Sequence, residues 1–407
     1  MLKFERPMIL LTGTFFSGVT RILFWVGSFL VFFSQTQAAE DQIKVPILDK
    51  TMTRAELIEQ IKKEGEVIVG NWTYTANDTL VAKFKEYVKK EYGVDVEIKY
   101  LGTQEPGTYL TNLYTAQKAG NPAPYDVLAI EENYYHEALS HEVVQPFLPS
   151  DLVPNIKNVL PVYVYTPNTV AFQATASPGI VYNKEKAGFL KDWKDLADPR
   201  LKGKLTLAKP GDITAAGFLI GLCWSLGGDY KKEEDMKKTI DFAVDKIGPN
   251  VVKYTTSSSE MQQLLRSEAV YAVMFWNSLA RLEFLEGYES TAFLNAESGQ
   301  AMANGYAWIP KKAPHPVLAQ IFINFELSDE RQVPPESWNL EKGPWAEFHE
   351  GLLGPHYEGL LPDWIKSDYA SMYPSLDLVQ KQYKLVDWNF VGTHMDQWMK
   401  YYEQRLQ

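Results

Sequence analysis

The chain is poor in cysteine, with Cys223 as its single example in 407 residues. No disulfide can therefore form within it, and Cys223 lies in the apolar stretch GFLIGLCWSLGG, where a thiol usually packs as a small hydrophobe. Enzyme signatures are missing as well, because the sequence holds no P-loop, no G-x-S-x-G, no H-E-x-x-H and no G-x-G-x-x-G after a strand. We expect a protein that is not an enzyme and needs no cofactor.

Basic residues are outnumbered by acidic ones, with 40 Lys and Arg against 51 Asp and Glu and a net charge of −11. Nucleic acid is a poor partner for such a chain because phosphates require a basic surface. A cationic ligand suits it, although acidity also serves solubility. His136 and His141 are off the i,i+4 spacing of helical metal ligands, so we expect no metal site.

The N-terminus has the features of an export signal. Lys3 and Arg6 precede an apolar run at residues 22–33, and small residues follow in SQTQAAED. The run is shorter than the ~20 apolar residues that cross a membrane, which predicts a signal peptide at residues 1–38. Arg21 interrupts a longer apolar region, so retention of the segment as an anchor stays open. Export without disulfides is typical of a bacterial periplasmic protein.

The length predicts two domains or lobes, and the pattern after Thr53 alternates helices with strands. Thr53 and Glu56 form a capping box before TRAELIEQIKKEG, which ends at Gly65. EVIVG, VDVEIKYLG and YDVLAI are strands, and TLVAKFKEYVKKEYG and PGTYLTNLYTAQKAG are helices. This rhythm predicts a parallel sheet with helices on its faces.

A second α/β lobe follows, with the strands KLTLA and VYAVMFWN and the helices ITAAGFLIGLCWSL and SSSEMQQLLRSEA. The predicted boundaries are residues 41–165 plus about 303–330 for lobe 1 and 166–302 for lobe 2. Residues 331–407 form a C-terminal helical tail that packs on the lobes. We expect no internal repeat.

Polar and aromatic residues follow the strands of both lobes. Since the carboxyl ends of strands in a doubly wound sheet share one edge, these side chains are expected to meet in a cleft. They are Trp72, Tyr74, Glu131, Glu132, Asn133, Tyr134, Asp212, Trp276, Asn277, Asn304 and Tyr306. Two lobes, such a cleft and no catalytic signature indicate a solute receptor.

Two features of the cleft leave alternatives open. Glu131 and Glu132 could act as a general acid and base, although adjacent side chains usually point apart. Ser257, Ser258 and Ser259 are typical of a helix N-cap with Glu260 in the first turn, and free helix N–H groups there could also hold an anionic ligand.

The sequence also resembles a family, the periplasmic solute-binding proteins of ABC importers, and within it the spermidine/putrescine-binding branch with its iron- and opine-binding relatives. The likeness runs from about Thr53 to Ser328 and lies in KKEGEVIVGNWTYT, YDVLAIEENYYHEAL, WKDLADPRLKGKLTL and SSSEMQQLLRSEAVYAVMFWN, with VDWNFVGTHMDQWMKYY near the end. The resemblance implies an α/β fold of the type II periplasmic binding kind. Each lobe is then a mainly parallel sheet flanked by helices, and a hinge joins the lobes.

The resemblance carries over to the site unevenly. Trp72, Thr73 and Tyr74 match a loop that polyamine binders place against the ligand, Tyr134 matches a pocket tyrosine, and Trp276 matches an aromatic wall. Asp212 lies in the region that supplies an acidic ammonium partner. Two positions depart from the pattern, because Glu132 falls where serine is common and Asn304 falls where a carboxylate is expected.

The resemblance and the residues together predict a periplasmic receptor that captures a small polar solute and delivers it to an inner-membrane ABC permease. An amine-bearing, polyamine-like solute is the first hypothesis, since aromatic faces and carboxylates attract ammonium groups. An anionic or zwitterionic solute such as a phosphonate, an opine or an amino acid, or iron, is the alternative. We expect a monomer that does not bind nucleic acid.

Overall fold

The computed structural model describes residues 42–72, 78–103, 105–159, 163–173, 177–255, 257–328, 331 and 376–407, all within the compact unit Gln42–Gln407. The strands in these ranges are β1 (Ile43–Val45), β2 (Lys50–Met52), β3 (Glu66–Trp72), β4 (Glu97–Thr103), β5 (Val127–Glu131), β6 (Val144–Gln145), β7 (Val164–Tyr165), β8 (Thr169–Gln173), β9 (Pro178–Asn183), β10 (Leu205–Leu207), β11 (Val251–Tyr254), β12 (Ala272–Trp276), β13 (Thr291–Phe293), β14 (Gln300–Met302), β15 (Gly305–Pro310) and β16 (Tyr383–Leu385).

The α-helices in the same ranges are α1 (Arg54–Glu64), α2 (Asp78–Tyr92), α3 (Gly107–Lys118), α4 (Glu132–Ser140), α5 (Lys184–Ala187), α6 (Ile213–Ser225), α7 (Glu233–Phe242), α8 (Ser258–Arg266), α9 (Asn277–Leu285), α10 (Pro316–Glu326), α11 (Leu376–Gln382) and α12 (Trp388–Leu406). No helix among these is long and apolar enough to cross a membrane.

The first large sheet has the strand order β4-β3-β5-β15-β8-β7, with β6 paired to β15. β3 runs parallel to β4 and β5, as the alternating pattern predicts. β15 runs antiparallel to both of its neighbours on this path, β5 and β8. α1, α2 and α10 pack against this sheet, where Phe84 meets Phe322 edge to face at 5.2 Å between ring centroids.

The second sheet has the order β11-β10-β12-β9-β13. β10 is parallel to β11 and β12, whereas β9 is antiparallel to β12 and β13. α6 is buried along most of its length, which explains its nearly continuous apolar sequence. A Cβ on Gly221 of this helix would lie 2.3 Å from Cε2 of Trp193, so only glycine lets the indole pack so closely.

Short hydrogen bonds link the two chain segments that connect the sheets. The Ser177 hydroxyl, just before β9, donates to the carbonyl of Ala301 in β14 at 2.6 Å. It also accepts from Nε2 of the buried Gln300 at 2.8 Å. A Cβ on Gly179 would lie 2.3 Å from Cζ of Phe293, so the adjoining backbone is closely packed as well.

The described C-terminal residues return to these connecting segments. β16 pairs in parallel with β14, and the indole Nε1 of Trp388 donates to the carbonyl of Met302 at 2.8 Å. α12 then packs against α7 beside the second sheet and against α4 beside the first. The chain end is therefore bound to both halves of the fold.

The α1 boundaries follow the sequence signals. The Thr53 hydroxyl accepts from the Glu56 N–H at 3.2 Å, the Glu56 carboxylate accepts from the Thr53 N–H at 2.8 Å, and Gly65 ends the helix at a φ of 67°. At the end of the helix Glu64 is 8% exposed. Its carboxylate accepts from the N–H groups of Val317 at 3.1 Å and Leu318 at 2.8 Å, and so caps α10.

Replacement of Glu64 by alanine is expected to lower the free energy of unfolding by about 1–3 kcal/mol, because two buried N–H groups at the start of α10 lose their acceptor. Glu59→Ala is the matched control. Glu59 lies on the same helix but its side chain is 72% exposed and pairs with Lys62 across the surface, so its loss should change stability by less than about 1 kcal/mol. Urea unfolding measures both, and equal effects would contradict the capping role.

Two expectations about the sheets need correction. The sheets are mixed rather than mainly parallel, because the strands next to the connecting segments run antiparallel to their neighbours. The chain also stays in the first sheet until Gln173, since β8 pairs with β15, so the predicted start of lobe 2 at residue 166 is too early. The signal peptide at residues 1–38 and the tail between 332 and 375 lie outside the described residues.

Candidate functional site

The site is built at the edge where β3 and β5 end. The two strands run parallel, so Trp72 and Glu131, their last residues, lie at the same edge. β15 begins beside them in the opposite direction, with Gly305 opposite Glu131. The N–H of Glu132 donates to the carbonyl of Asn304 at 3.0 Å, which brings two predicted site residues together.

Glu132 and Asn304 are buried with unused hydrogen-bonding capacity. Glu132 is 6% exposed; its Oε1 lies 3.4 Å from Nε2 of His136, and its Oε2 has no hydrogen-bond partner among the described residues. Asn304 is fully buried, and neither polar atom of its amide has a hydrogen-bond partner among the described residues. Leaving such groups unsatisfied costs about 1–3 kcal/mol each. An ordered water or a ligand would remove that cost.

Tyr306 forms the wall behind this pair. Its ring packs edge to face on Tyr135 with centroids 5.3 Å apart. Burial raises the pKa of the Tyr306 hydroxyl, and the charge of the neighbouring Glu132 carboxylate raises it further. The hydroxyl therefore stays protonated and lies next to both buried groups.

Glu131 provides a second carboxylate at this edge. Burial raises the pKa of Glu131 to about 7, and a hydrogen bond from the Trp72 side chain offsets only part of this rise. Burial also raises the pKa of Tyr134 to about 12, and the charges of Glu131, Glu137 and, least of the three, Asp212 add to the effect. Trp72 and Tyr134 therefore lie near carboxylates.

Asp212 belongs to the second sheet's half of the fold but lies within electrostatic reach of Tyr134. It is the N-cap of α6, where its Oδ1 accepts from the N–H of Thr214 at 2.8 Å and from the hydroxyl of the same residue. The capping bonds use one oxygen and fix the carboxylate in place. The predicted site therefore draws an acid from each half of the fold.

Trp276 and Asn277 lie at the end of β12 and the start of α9. The N–H of Asn277 donates to the carbonyl of Ser177 at 3.0 Å, and its amide oxygen accepts from the Ser177 N–H at 3.4 Å. Asn277 thus contacts the connecting segment. Thr73 and Tyr74, also predicted site residues, lie outside the described residues.

A comparison with protein families decides what kind of protein carries this site. The family described as bacterial extracellular solute-binding protein matches residues 71–333, which is more than half of the chain. The chain belongs to this family. An uncharacterised protein of Haemophilus influenzae is 32% identical to the solute-binding protein over 143 residues, which are 35% of this chain and 38% of that relative.

Solved structures share the fold of the solute-binding protein. An ABC transporter structure from Clostridium perfringens has 20% identity and a TM-score of 0.64 over 84% of this chain and 100% of its own. The spermidine/putrescine ABC transporter substrate-binding protein of Streptococcus pneumoniae has 19% identity and a TM-score of 0.62, over 84% of this chain and 99% of its own. The ferric ion-binding protein of Pasteurella haemolytica has 14% identity and a TM-score of 0.58, over 84% of this chain and 98% of its own. The predicted two-lobed α/β fold is confirmed.

Sequence reasoning undervalued Glu131 as a ligand-binding candidate. The sequence places Glu131 and Glu132 in the cleft as adjacent acids whose side chains usually point apart, and the family resemblance involves Glu132 but not Glu131. In the structure Glu131 ends a strand and faces Trp72 and Tyr134, whereas Glu132 begins α4 and faces Asn304 and Tyr306. The position of two acids across a strand-to-helix junction was the available signal.

Proposed function

We propose that this solute-binding protein captures a small amine-bearing solute between its two lobes in the periplasm and delivers it to an inner-membrane ABC permease. The solute undergoes no reaction. A lower free energy of the closed form with solute bound is the whole mechanism. The observation that supports the amine is the buried Glu132 carboxylate, with Oε2 unpartnered among the described residues.

An ammonium group suits the surroundings of Glu132. It would donate to Glu132 Oε2 and to the amide oxygen of Asn304 in charge-assisted hydrogen bonds, which are roughly twice as strong as neutral ones. A ring face such as that of Trp72 adds about 0.5–2 kcal/mol through a cation–π contact. The recorded ion-pair partner of Glu132 is the imidazole of His136, whose Nε2 lies 3.4 Å from Oε1, so Oε2 is the oxygen that an ammonium group would meet.

The contact between Glu132 and Asn304 also accounts for a departure from the polyamine-binding pattern. That pattern has serine at position 132 and a carboxylate near position 304, whereas this chain has Glu132 and Asn304. Because a 3.0 Å backbone hydrogen bond joins the two residues, an acid at the start of α4 would serve the same solute as an acid just before β15. The amide N–H of Asn304 then favours a solute with an acceptor near its ammonium group.

The anionic alternative has less support. It needs free N–H groups at the starts of α6 and α8. Asp212 already caps α6 with its carboxylate, and Ser257 caps α8 through a bond from the Glu260 N–H at 3.3 Å. A carboxylate at a helix start also repels a second anion.

The proposal is tested by calorimetry and thermal melting with 1,4-diaminobutane, spermidine, 4-aminobutanoate and inorganic phosphate. We expect at least one amine to raise the melting temperature and phosphate to leave it unchanged. Trp72→Ala should abolish the shift without lowering the melting temperature of the free protein. Stabilisation by phosphate and by none of the amines would overturn the amine assignment.

A further inference from the structure

Glu132 and Asn304 are neighbours on one face of the first sheet. β5 and β15 are antiparallel with Gly305 opposite Glu131, so continuing the register by one residue sets Asn304 opposite Glu132. The 3.0 Å hydrogen bond from the Glu132 N–H to the Asn304 carbonyl agrees with this pairing. Residues that lie opposite each other point their side chains to the same side of a sheet, with Cβ atoms about 5 Å apart. The two side chains therefore lie next to each other.

Aromatic rings enclose this pair of side chains. Tyr306 lies two residues beyond Asn304, so its side chain points to the same side of the strand. The Tyr306 ring packs on Tyr135 of α4 with centroids 5.3 Å apart. Glu132 and Tyr135 are three residues apart on α4, which places them on one face of that helix. The polar groups of Glu132 and Asn304 are thus held between α4 and the start of β15.

The titratable groups around Glu132 leave one of its oxygens open. From α4, Nε2 of His136 lies 3.4 Å from Oε1, and Asp387 of the C-terminal segment lies within electrostatic reach of that imidazole. From β15, the protonated hydroxyl of Tyr306 lies beside the carboxylate. Oε2 has no hydrogen-bond partner within the described part of the chain. A ligand that pairs with Glu132 would therefore donate to Oε2.

Asn304 offers both kinds of hydrogen bond at the same place. It is fully buried, and neither atom of its side-chain amide has a partner among the residues that the structure describes. Such an amide holds two N–H donors and one carbonyl acceptor. Because neither polar atom has a partner, this holds for either orientation of the amide. A ligand group with a donor and an acceptor side by side would satisfy both atoms.

We propose that the solute is an amino amide, whose ammonium group donates to Oε2 of Glu132 and whose neutral carboxamide pairs with the Asn304 amide through two hydrogen bonds. This inference rests on the proposed function and narrows its solute class. A carboxamide is the matching group because it holds an N–H and a carbonyl oxygen in one plane, as the Asn304 amide does. Since the two side chains are neighbours, only a few bonds separate the ammonium group of the solute from its carboxamide.

Other groups match Asn304 less well. A second ammonium group has donors only, so the buried N–H groups of Asn304 would stay without an acceptor. A solute carboxylate would accept from those N–H groups, but it would lie close to the Glu132 carboxylate, and like charges repel. A methyl group would leave both amide atoms unsatisfied. Asn304 is thus the residue that determines which amine is preferred.

Calorimetric titration of the unaltered protein with matched solutes tests this preference. The probes are glycinamide, 3-aminopropanamide and 4-aminobutanamide, each compared with the diamine and the alkylamine that have the same number of carbon atoms. We expect at least one amino amide to bind about tenfold or more tightly than both of its counterparts, because these leave buried polar atoms of Asn304 unsatisfied.

Asn304→Leu keeps the approximate size of the side chain and removes both hydrogen-bonding groups. We expect it to bind the best amino amide no more tightly than the matched alkylamine. Without solute it should melt no lower than the unaltered protein, because the lost amide atoms have no partner among the described residues.

Asn324→Leu is the matched control for a buried amide that is already partnered. Asn324 is 3% exposed, and its amide donates to the Tyr87 hydroxyl at 2.8 Å and accepts from the Asn155 N–H at 2.9 Å. Its replacement should lower the melting temperature, since those partners are left unsatisfied. An equal fall for Asn304→Leu would mean that the Asn304 amide serves the fold, and would contradict the inference.

The outcomes separate this inference from the proposed function. If a diamine, an alkylamine or 4-aminobutanoate binds as tightly as every amino amide, the amine receptor stands and the amide assignment is wrong. A preference for the amide that survives in Asn304→Leu would place the recognition on another residue and equally overturn it. Failure of all the amines, with or without an amide, to bind or to shift melting would remove the proposed function and this inference with it.

Discussion

Glu132→Ala is expected to weaken binding of 1,4-diaminobutane about a hundredfold or more, which would be the largest effect of a single substitution in the site. Truncating one member of a buried charge pair costs about 2–5 kcal/mol, and each 1.4 kcal/mol corresponds to a factor of ten. The loss is large because the ammonium group would remain desolvated beside Asn304 and Tyr306 with its principal acceptor gone. Calorimetry gives the dissociation constants directly.

A paired exchange makes this prediction sharper. Glu132→Ser alone should lose affinity as alanine does, whereas the double variant Glu132→Ser with Asn304→Asp should regain at least about tenfold, because the carboxylate returns from the facing residue. The free protein provides the control, since each variant must melt cooperatively. If the double variant binds 1,4-diaminobutane no more tightly than the single variant, positions 132 and 304 do not contact the same ligand.

Glu131→Gln is expected to stabilise the free protein at pH 8 by about 1–3 kcal/mol, although it lies in the site. Burial raises the pKa of Glu131 from an ordinary 4.5 to about 7. Between these values the folded chain holds a proton that the unfolded chain has lost. The contribution of Glu131 to stability is therefore complete below pH 4.5 and falls as the pH rises through 7. Glutamine never ionises and avoids this loss.

Urea unfolding at pH 5 and pH 8 measures the effect. The variant and the unaltered protein should have similar free energies of unfolding at pH 5 and diverge at pH 8, with the variant more stable. Glu137→Gln should follow the unaltered protein at both values. A gap of the same size at both pH values would show that the substitution changes packing and not ionisation.

Stabilisation by the loss of a site residue would mean that the protein keeps a destabilising group for its function. Natural proteins commonly trade stability for activity in this way. Here the destabilising group would be the buried carboxyl of Glu131.

Local signals were sufficient to predict much of the fold. The Thr53 capping box, the left-handed Gly65 and the alternation of strand and helix patterns each depend on neighbours in sequence. The direction of β9 and β15 was not predictable in this way. Antiparallel pairing of these strands follows from where the chain passes between the sheets, and the residues of a short buried strand carry no record of its neighbour's direction.

The positions of some candidate site residues in the fold were also predictable. Strand patterns predicted that Trp72 lies at the end of β3 and that Glu132 follows β5, and these two strands are parallel and share an edge. Tyr306 lies near the start of the antiparallel β15 instead. The hydrogen bond between Glu132 and Asn304 could not be predicted, since it depends on the register of β5 against β15. The contacts of Asn277 with Ser177 could not be predicted either, because the two residues lie 100 positions apart in the sequence.

The pairing of β16 with β14 and the packing of α12 on both α4 and α7 have a practical consequence. A truncation near residue 380 would remove residues that pack against the rest of the fold. It would strip a strand from the segment that links the halves and a helix from the back of α4, whose first residue is Glu132. Affinity would then suffer from damage far along the sequence. A fluorophore on the outer face of α12 would, conversely, report arrival of the solute from outside the cleft.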